Sequence, residues 1–206
     1  MTFKVGIIDL ETGNIGSLES ALIKLDIKYE LCKNIDSLSH VKKIILPGVG
    51  SFGGFMSKIK KFKIDKLILK KISDGCPLLG ICVGFQALFD ESNEMGNFDG
   101  LKILSGRLQN FSEFTKEVNI PHVGWNECKI IKENPLFESI ENNTDFYFTH
   151  SYFLSKFKNE DVVSKTNYGL DFVSAVKKRN IYGVQFHPEK SQAAGLKLLN
   201  NFYNNC

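Results

Sequence analysis

One cysteine and one histidine–carboxylate pair are the residues of this chain whose types and spacing could carry out covalent chemistry. Cys82 lies in Gly-Ile-Cys-Val-Gly, directly after the apolar run Pro77–Leu79. His187 and Glu189 lie much further along, in Gln-Phe-His-Pro-Glu at the end of another apolar run. A cysteine, a histidine and a carboxylate can serve as nucleophile, general base and orienting acid. The sequence therefore predicts attack on a carbonyl carbon.

The segment around Cys82 has the pattern of a nucleophile elbow. Gly80 and Gly84 flank the cysteine two positions away on either side, which allows a sharp turn between a strand and a helix. The backbone N–H of Val83 would then face the same space and donate to a developing oxyanion, and the helix N-terminus would favour the thiolate. The alternative is that Cys82 is a small buried hydrophobic residue, as free cysteines commonly are.

His187 is the best candidate for the base among the four histidines of the chain. It leaves a strand end, and Glu189 could bond the imidazole nitrogen that faces away from the sulfur. Taken alone, His-Pro-Glu could also be a surface turn. The other three histidines are expected in a solvated connector, in a turn, and in the core or an interface, respectively: His40, His122 and His150.

A glycine-rich loop, Pro47–Gly54, follows the third predicted strand. It lacks the Gly-Lys-Ser/Thr of a phosphate loop and the acidic residue of a dinucleotide site. Backbone N–H groups near the elbow suit a second oxyanion donor, and a plain flexible turn is the alternative. The cysteines are odd in number and form no Cys-x-x-Cys pair. Neither a metal, a disulfide framework nor a cofactor is therefore expected.

Strands and helices alternate in the first half of the chain, and these elements must position the loop and the elbow. Strands are predicted over Phe3–Ile8, Ile27–Cys32, Lys43–Leu46 and Pro77–Ile81. Helices are predicted around Leu18–Leu25 and over Phe55–Phe62, Ile64–Ile72 and Val83–Phe89. This alternation is typical of an α/β fold with a mostly parallel central sheet and helices on both faces.

The second half of the chain, which contains His187, consists mainly of predicted strands. They cover Leu101–Phe111, Trp125–Ile131, Phe146–Tyr152, Val162–Thr166, Phe172–Lys177 and Ile181–Phe186. With little helix between them, they predict an antiparallel strand extension of the sheet, followed by a last helix over Ala193–Tyr203. No linker or repeat interrupts the pattern, so a single domain over residues 1–206 is expected.

The composition argues against two kinds of partner. The formal net charge is only +3 and the lysines are scattered, so no nucleic-acid partner is expected. No apolar stretch approaches the roughly 18 residues needed to span a bilayer, so no membrane partner is expected. The N-terminus is interpreted as a first strand rather than a signal peptide. The odd number and the spacing of the cysteines suit a reducing compartment, so the cytoplasm is the expected location.

Together the motifs resemble those of class I (triad) glutamine amidotransferases, and most closely the glutaminase subunits of imidazole glycerol phosphate synthase. The general resemblance rests on Gly80–Gln86 and Gln185–Glu189. The finer one rests on Pro47–Gly53, Pro121–Asn126, Phe148–Tyr152, Phe186–Gln192 and Leu196–Leu199. These blocks extend over essentially the whole chain. The Gly-Trp-Asn and Glu-Lys-Ser-Gln segments are more specific than the triad motifs, which many glutaminases share.

The resemblance implies that Cys82 attacks the side-chain amide of glutamine, His187 passes a proton to the departing ammonia, and Glu189 orients His187. The oxyanion would be held by the backbone N–H of Val83 and, after a loop rearrangement, by that of Val49 or Gly50. The substrate would contact Gly50, Gln86, Glu94, Ser151 and Tyr152. Ammonia would pass to a (β/α)8-barrel cyclase subunit in a heterodimer. The positions implied to face that partner are Asn14, Trp125, Tyr147 and Lys190.

The resemblance is weakest near the N-terminus, where Leu10–Asn14 and Gly16 depart from the family pattern close to the implied partner face. The first alternative is therefore a paralogous glutaminase subunit that supplies ammonia to a different enzyme pair, such as one for surface-sugar amidation. Two further alternatives are a cysteine peptidase or stress protein on a related fold, and an inactive regulatory binding module. The Gly-Trp-Asn block counts against the former, and the intact triad counts against the latter.

Overall fold

A nine-stranded mixed sheet and a smaller four-stranded sheet form the framework of the protein. The computed structural model describes residues 4–11, 15–33, 37–38 and 40–206. The strands of this described part are, in chain order, β1 (Val5–Ile8), β2 (Tyr29–Cys32), β3 (Lys43–Gly48), β4 (Leu78–Cys82), β5 (Glu91–Ser92), β6 (Phe98–Asp99), β7 (Gly106–Asn110), β8 (His122–Ile130), β9 (Thr144–His150), β10 (Tyr152–Phe157), β11 (Val162–Asn167), β12 (Asp171–Lys178) and β13 (Ile181–Val184).

The nine-stranded sheet is parallel at one end and antiparallel at the other. Its order is β2-β1-β3-β4-β13-β12-β11-β8-β9. The neighbours from β2 to β13 pair in parallel, and those from β13 to β9 pair antiparallel. Every residue of β1, β4 and β13 is buried, so both faces of the sheet are covered there. The predicted fold class, a parallel sheet with an antiparallel extension, is confirmed.

The helices pack their apolar faces against this framework. Their bounds are α1 (Ile15–Lys24), α2 (Phe52–Lys61), α3 (Ile64–Ser73), α4 (Val83–Gln86) and α5 (Gln192–Asn205). Helix α2 begins after Ser51, whose Oγ accepts a hydrogen bond from the Gly54 N–H at 3.3 Å and so caps the helix. No helix in the described part of the chain is long and apolar enough to cross a membrane.

The helix after Cys82 is shorter than the sequence predicts. It ends at Gln86 rather than Phe89, because the next N–H groups donate three residues back instead of four. The Leu88 N–H donates to the Phe85 carbonyl at 3.1 Å, and the Phe89 N–H donates to the Gln86 carbonyl at 3.2 Å. The chain therefore leaves the α-helical path after one turn.

Two predicted strands of the second half are also revised. The range Leu101–Phe111 forms a strand only over Gly106–Asn110, since residues 101–104 bond instead to the carbonyls of residues 87–89, which follow α4. The range Phe146–Tyr152 is divided at Ser151 between β9 and β10. Strands β10, β7, β5 and β6 form the four-stranded sheet in that order, and it is separate from the main sheet rather than an extension of it.

Aromatic side chains join the two sheets. Phe111, which follows β7, stacks on Phe153 of β10 at 4.6 Å between ring centroids. It also meets Phe172 of β12 edge to face at 5.4 Å and lies 5.4 Å from the His150 ring at the end of β9. Paired aromatic rings of this kind stabilise a core beyond their burial alone. The same cluster therefore fixes where β9 and β10 meet.

Candidate active site

Cys82 occupies a sharp turn between β4 and α4. Its backbone has φ 54° and ψ −111°, a conformation that non-glycine residues rarely adopt and that costs of order 1–3 kcal/mol. Gly84 permits the turn, because a Cβ at that position would lie 1.8 Å from the Leu46 carbonyl oxygen. A Cβ on Gly80 would lie 2.8 Å from the Gly84 carbonyl oxygen. The segment thus has the strained elbow geometry that its glycine spacing predicts.

The Cys82 sulfur is almost buried and has two polar neighbours. It approaches the Thr149 carbonyl oxygen at 3.9 Å, and the Gln185 side-chain amide donates toward it at 3.9 Å. Gln185 itself is fully buried. These two contacts, one to a carbonyl oxygen and one from an amide, fix where the sulfur lies at the end of β4.

The glycine-rich loop lies beside the elbow, because Gly48 of β3 is paired with Cys82 of β4. A Cβ on Gly48 would come within 2.5 Å of the Gly84 nitrogen, so the two backbones approach more closely than any other residue permits. Beyond it, Val49 and Gly50 line the same cavity as Val83. The Val83 N–H belongs to the first turn of α4, where N–H groups have no intrahelical acceptor. These donors can surround an oxyanion.

His187 and Glu189 form a buried pair next to the elbow. His187 Nδ1 lies 2.7 Å from Glu189 Oε1, and the two side chains are 2% and 6% exposed. The His187 N–H donates to the Tyr147 carbonyl at 2.8 Å, which attaches the end of β13 to β9. The other ring nitrogen, Nε2, is buried and makes no hydrogen bond of ordinary geometry within the described residues. Glu189 therefore binds one nitrogen and leaves the other directed to the cavity.

Opposite charges determine the protonation of His187. Burial acts to lower its pKa, but the nearby Cys82 and Glu189 together outweigh burial and raise the pKa from 6.5 to about 10. The arrangement thus favours the imidazolium form of His187, which can give a proton to a leaving group.

A cavity of about 310 Å³ lies over the elbow. It is lined by nine of the residues that the sequence predicts for the site: Val49, Gly50, Cys82, Val83, Gln86, Glu94, Ser151, Tyr152 and His187. Glu189 lies behind His187 rather than in the cavity wall. The volume suits a small-molecule substrate. In the described part of the chain, no group of three or more His, Cys, Asp or Glu residues could hold a metal ion.

Two side chains of the cavity wall are held by specific bonds. Gln86 Nε2 donates to the Gln185 Oε1 at 3.0 Å and to the Tyr152 carbonyl at 3.3 Å. Glu94 Oε2 accepts a hydrogen bond from the Phe52 N–H at 2.6 Å, at the start of α2. Because Phe52 belongs to the glycine-rich segment Pro47–Gly54, the Glu94 carboxylate connects that segment to the opposite wall of the cavity.

Three of the four residues expected to face a partner form one surface cluster. Trp125 of β8 is paired with Tyr147 of β9, and their rings lie edge to face at 6.1 Å. The Lys190 ammonium lies 5.7 Å from the centre of the Tyr147 ring. Trp125 is 46% exposed. The fourth residue, Asn14, lies outside the residues that the structure describes.

Sequence reasoning did not assign His122 and His150 to the site. The expectation that His122 lies in a turn is wrong: it is the first residue of β8, and it is buried opposite His150 of β9. His150 lines the cavity, as do Pro121 and Thr149. The Pro-His-Val-Gly-Trp-Asn and Phe-Thr-His-Ser-Tyr blocks contain these residues, but only the pairing of the two strands brings the histidines together.

Comparison with known proteins gives consistent matches over the whole chain. The family model described as glutamine amidotransferase class-I matches residues 6–206. The imidazole glycerol phosphate synthase subunit HisH of Methanocaldococcus jannaschii is 45% identical, covering 96% of this chain and 97% of the relative. The subunit HisH of Bacillus subtilis strain 168 is 38% identical, covering 96% and 94%. The subunit HisH 1 of Campylobacter jejuni strain RM1221 is 41% identical, covering 96% and 98%.

Solved structures share the fold at lower sequence identity. The structure of PurLQS from Thermotoga maritima has a TM-score of 0.78 and 21% identity, and it covers 99% of both chains. A crystal structure of a glutamine amidotransferase has a TM-score of 0.73 and 19% identity, with 96% of both chains covered. These likenesses show that the mixed sheet and its helices form a known architecture.

Proposed function

Since the chain belongs to the class-I glutamine amidotransferases, we propose that it is the glutaminase subunit of an imidazole glycerol phosphate synthase, active in histidine biosynthesis. The observation that carries the proposal is the cavity that holds Cys82, Val83 and His187, with Glu189 bonded behind the histidine. Relatives named as subunits of that synthase, 38–45% identical over nearly full length, support the same activity. A single amidotransferase domain and a cytoplasmic location are parts of this proposal.

The proposed reaction begins at the sulfur. The Cys82 thiolate attacks the carboxamide carbon of glutamine, and the electron pair of the carbonyl π bond moves to oxygen. The Val83 N–H and a donor from Val49 or Gly50 hold that oxyanion. As the oxyanion collapses, the carbon–nitrogen bond breaks and the His187 imidazolium gives its proton to the leaving nitrogen. The products of this half-reaction are ammonia and a γ-glutamyl thioester on Cys82.

The second half-reaction regenerates the enzyme. A water molecule gives a proton to the now neutral His187 and attacks the thioester carbon, and the thiolate leaves as glutamate forms. Glu189 keeps the Nδ1 proton of His187 directed away from the sulfur and stabilises the imidazolium. Glu94 is a carboxylate in the cavity wall and suits the α-ammonium group of glutamine. Gln86, Ser151 and Tyr152 would complete the substrate contacts.

The ammonia must reach its acceptor before water protonates it, because ammonium is not a nucleophile. A closed path into a partner protein meets that need. We place a (β/α)8-barrel cyclase subunit against the Trp125–Tyr147–Lys190 cluster. This surface is connected directly to the site, because the backbone carbonyl of Tyr147 accepts a hydrogen bond from the backbone N–H of His187.

The decisive experiment is glutamate release from glutamine, with and without the histidine-pathway cyclase and its nucleotide ligand. We expect strong stimulation by the cyclase and a loss of about a thousandfold or more in Cys82→Ser. Synthesis by the complex from added ammonium salt should persist in that variant, because the acceptor site is in the partner. Cys206→Ser, which changes a cysteine outside the cavity, is the matched control and should keep wild-type activity.

Other results would reassign the function. Equal loss of glutamine-dependent and ammonium-dependent synthesis in Cys82→Ser would give Cys82 a structural role. Activity that appears only beside a second cyclase-like protein would indicate the paralogous subunit with a different acceptor. Failure of a thiol-reactive glutamine analogue to label Cys82, even with a partner present, would indicate an inactive binding module.

A further inference from the structure

A chain of hydrogen bonds runs beneath the cavity wall from the surface to the end of β9. Asn126 Nδ2 lies 3.2 Å from His122 Nε2, and His122 Nδ1 lies 3.1 Å from His150 Nε2. His150 Nδ1 lies 2.8 Å from the Tyr152 carbonyl oxygen. Both histidines are buried, whereas Asn126 is half-buried and adjoins Trp125 in β8. The catalytic steps above use neither histidine.

Only one placement of the ring protons on His122 and His150 gives every hydrogen bond of this chain a donor and an acceptor. The Tyr152 carbonyl can only accept, so His150 Nδ1 carries a proton and its Nε2 accepts in the neutral ring. His122 Nδ1 must then donate to His150, which leaves His122 Nε2 to accept from the Asn126 amide. The second Asn126 amide hydrogen is used by the Asn167 carbonyl at 2.9 Å. All bonds therefore point in the same direction, from the surface toward Tyr152.

Burial is consistent with this protonation. It lowers the pKa of His122 from 6.5 to about 4 and the pKa of His150 from 6.5 to about 3. Both rings are thus neutral at physiological pH, as the directed chain requires.

The chain continues on the cavity side of Tyr152. The carbonyl that accepts from His150 also accepts from Gln86 Nε2 at 3.3 Å. Gln86 in turn donates to Gln185, and Gln185 donates toward the Cys82 sulfur. The Tyr152 carbonyl is thereby the point where the histidine pair and the two glutamines meet. Displacement of this carbonyl would move the wall formed by Ser151 and Tyr152 and loosen the position of Gln86.

We propose that His122 is a positioning residue for the glutaminase reaction, acting through His150 to hold the Ser151–Tyr152 wall in the geometry that binds glutamine. The inference rests on the proposed function, because it takes glutamine as the ligand of the cavity. His122 does not line the cavity, so any effect of its substitution on glutamine must pass through its neighbours.

The test measures the dissociation constant for glutamine in a Cys82→Ser parent, held in complex with its partner. His122→Phe keeps a ring between Phe148 and Tyr168 but leaves the His150 Nε2 without its donor. We expect glutamine to bind about ten times more weakly. The buried Nε2 of His150 would have no donor, and the ring would have to shift to find one, which would displace the Tyr152 carbonyl that it holds. Asn126→Leu removes the amide that donates to His122 without placing a charge beside the ring, and it should weaken glutamine binding in the same direction.

Tyr168→Leu is the control for packing. It removes the ring stacked on His122 at 3.9 Å between centroids while leaving every bond of the chain in place. We expect a lower melting temperature with unchanged glutamine binding. In the wild-type protein, nitrogen NMR of the imidazoles should find the proton on Nδ1 of both His122 and His150.

Three outcomes would overturn this inference while leaving the proposed function in place. The first is wild-type glutamine binding in both His122→Phe and Asn126→Leu, and the second is equal weakening in Tyr168→Leu, which would assign the effect to packing. The third is a proton on Nε2 of either histidine. If the Cys82→Ser parent binds no glutamine at all, the proposed function fails first, and the inference with it.

Discussion

His187 and the His122–His150 pair are buried to a similar degree but differ in the charges beside them. The three residues are 1%, 2% and 7% exposed, in that order. Cys82 and Glu189 raise the pKa of His187 to about 10 against the effect of burial. For His122, burial lowers the pKa to about 4, and for His150 it lowers the pKa to about 3 despite the bond to the Tyr152 carbonyl. Among the residues that the structure describes, no carboxylate is hydrogen-bonded to either ring of the pair.

The difference shows that burial alone does not set the charge of a histidine. A buried ring without an anion becomes a neutral donor and acceptor, suited to holding backbone in place. A buried ring between a cysteine and a carboxylate is favoured as a cation, the form that the proposed reaction needs for giving up a proton. Cys82 raises the pKa of His187 more than Glu189 does, but Glu189 can be replaced without removing the proposed nucleophile, so its substitution is the cleaner test.

The largest effect is expected from Glu189→Gln. The variant keeps an oxygen that can accept from His187 Nδ1 but removes the charge, so the pKa of His187 should fall and the imidazolium should be lost. We expect glutamine-dependent turnover to drop by about a thousandfold or more. The measurement is glutamate release by the complex, together with ammonium-dependent synthesis, which should be unchanged.

Glu113→Gln is the matched control. Glu113 also accepts hydrogen bonds from side chains, but it lies just after β7 and does not line the cavity. It should retain wild-type turnover. Retained activity in Glu189→Gln would mean that the charge of Glu189 is not needed for the proposed role of His187.

The second prediction concerns stability in acid. The folded-state pKa values of His122 and His150 lie below the value of about 6.5 in an unfolded chain. Between pH 6.5 and about 4, the unfolded chain therefore binds more protons than the folded one. The stability due to these neutral rings is complete above pH 6.5 and is lost as the pH falls. Each histidine contributes at most about 1.4 kcal/mol per pH unit to this loss.

His122→Phe should reduce the steepness of that loss, because it removes one of the two groups. The free energy of unfolding, measured with urea at several values between pH 6.5 and pH 4.5, should fall less steeply in the variant by up to about 1.4 kcal/mol per pH unit. His40→Gln is the control: His40 is exposed in the folded chain, so its removal should leave the pH dependence unchanged. Parallel curves for His122→Phe and wild type would contradict the assignment of a neutral buried ring.

Local sequence predicts the catalytic histidine but not the pair beneath the cavity, for a physical reason. Cys82 and its two glycines are close neighbours, and a sharp turn at a strand end requires this spacing. Glu189 is two residues from His187, so their contact is also local. His122 and His150 meet only because β8 pairs with β9 in the register that places them opposite each other. Such a register depends on the whole sheet and leaves no short-range pattern.

The four-stranded sheet escaped prediction for a similar reason. Strands β5 and β6 contain two residues each, which is too short for an alternation of apolar and polar residues to be visible. Glu94 lies in the turn between them, and only this turn brings its carboxylate to the Phe52 N–H. The substrate-binding role of Glu94 is predicted from the resemblance to a family, and no local sequence pattern predicts where its carboxylate lies.

The smallest effect is expected at the Trp125–Tyr147–Lys190 cluster, which is connected both to His187 and to the histidine pair. Trp125 adjoins Asn126, the first member of the histidine chain, and is paired with Tyr147, whose carbonyl holds His187. Trp125→Ala should weaken stimulation of glutaminase activity by the partner about tenfold, because exposed aromatic residues in an interface often contribute that much binding free energy. Leu69→Ala, at a residue 45% exposed on α3, is the matched control for the loss of exposed apolar surface. Equal stimulation in the two variants would place the partner elsewhere. A selective loss in Trp125→Ala with an unchanged melting temperature would place the partner on the strand pair that holds both His187 and Asn126.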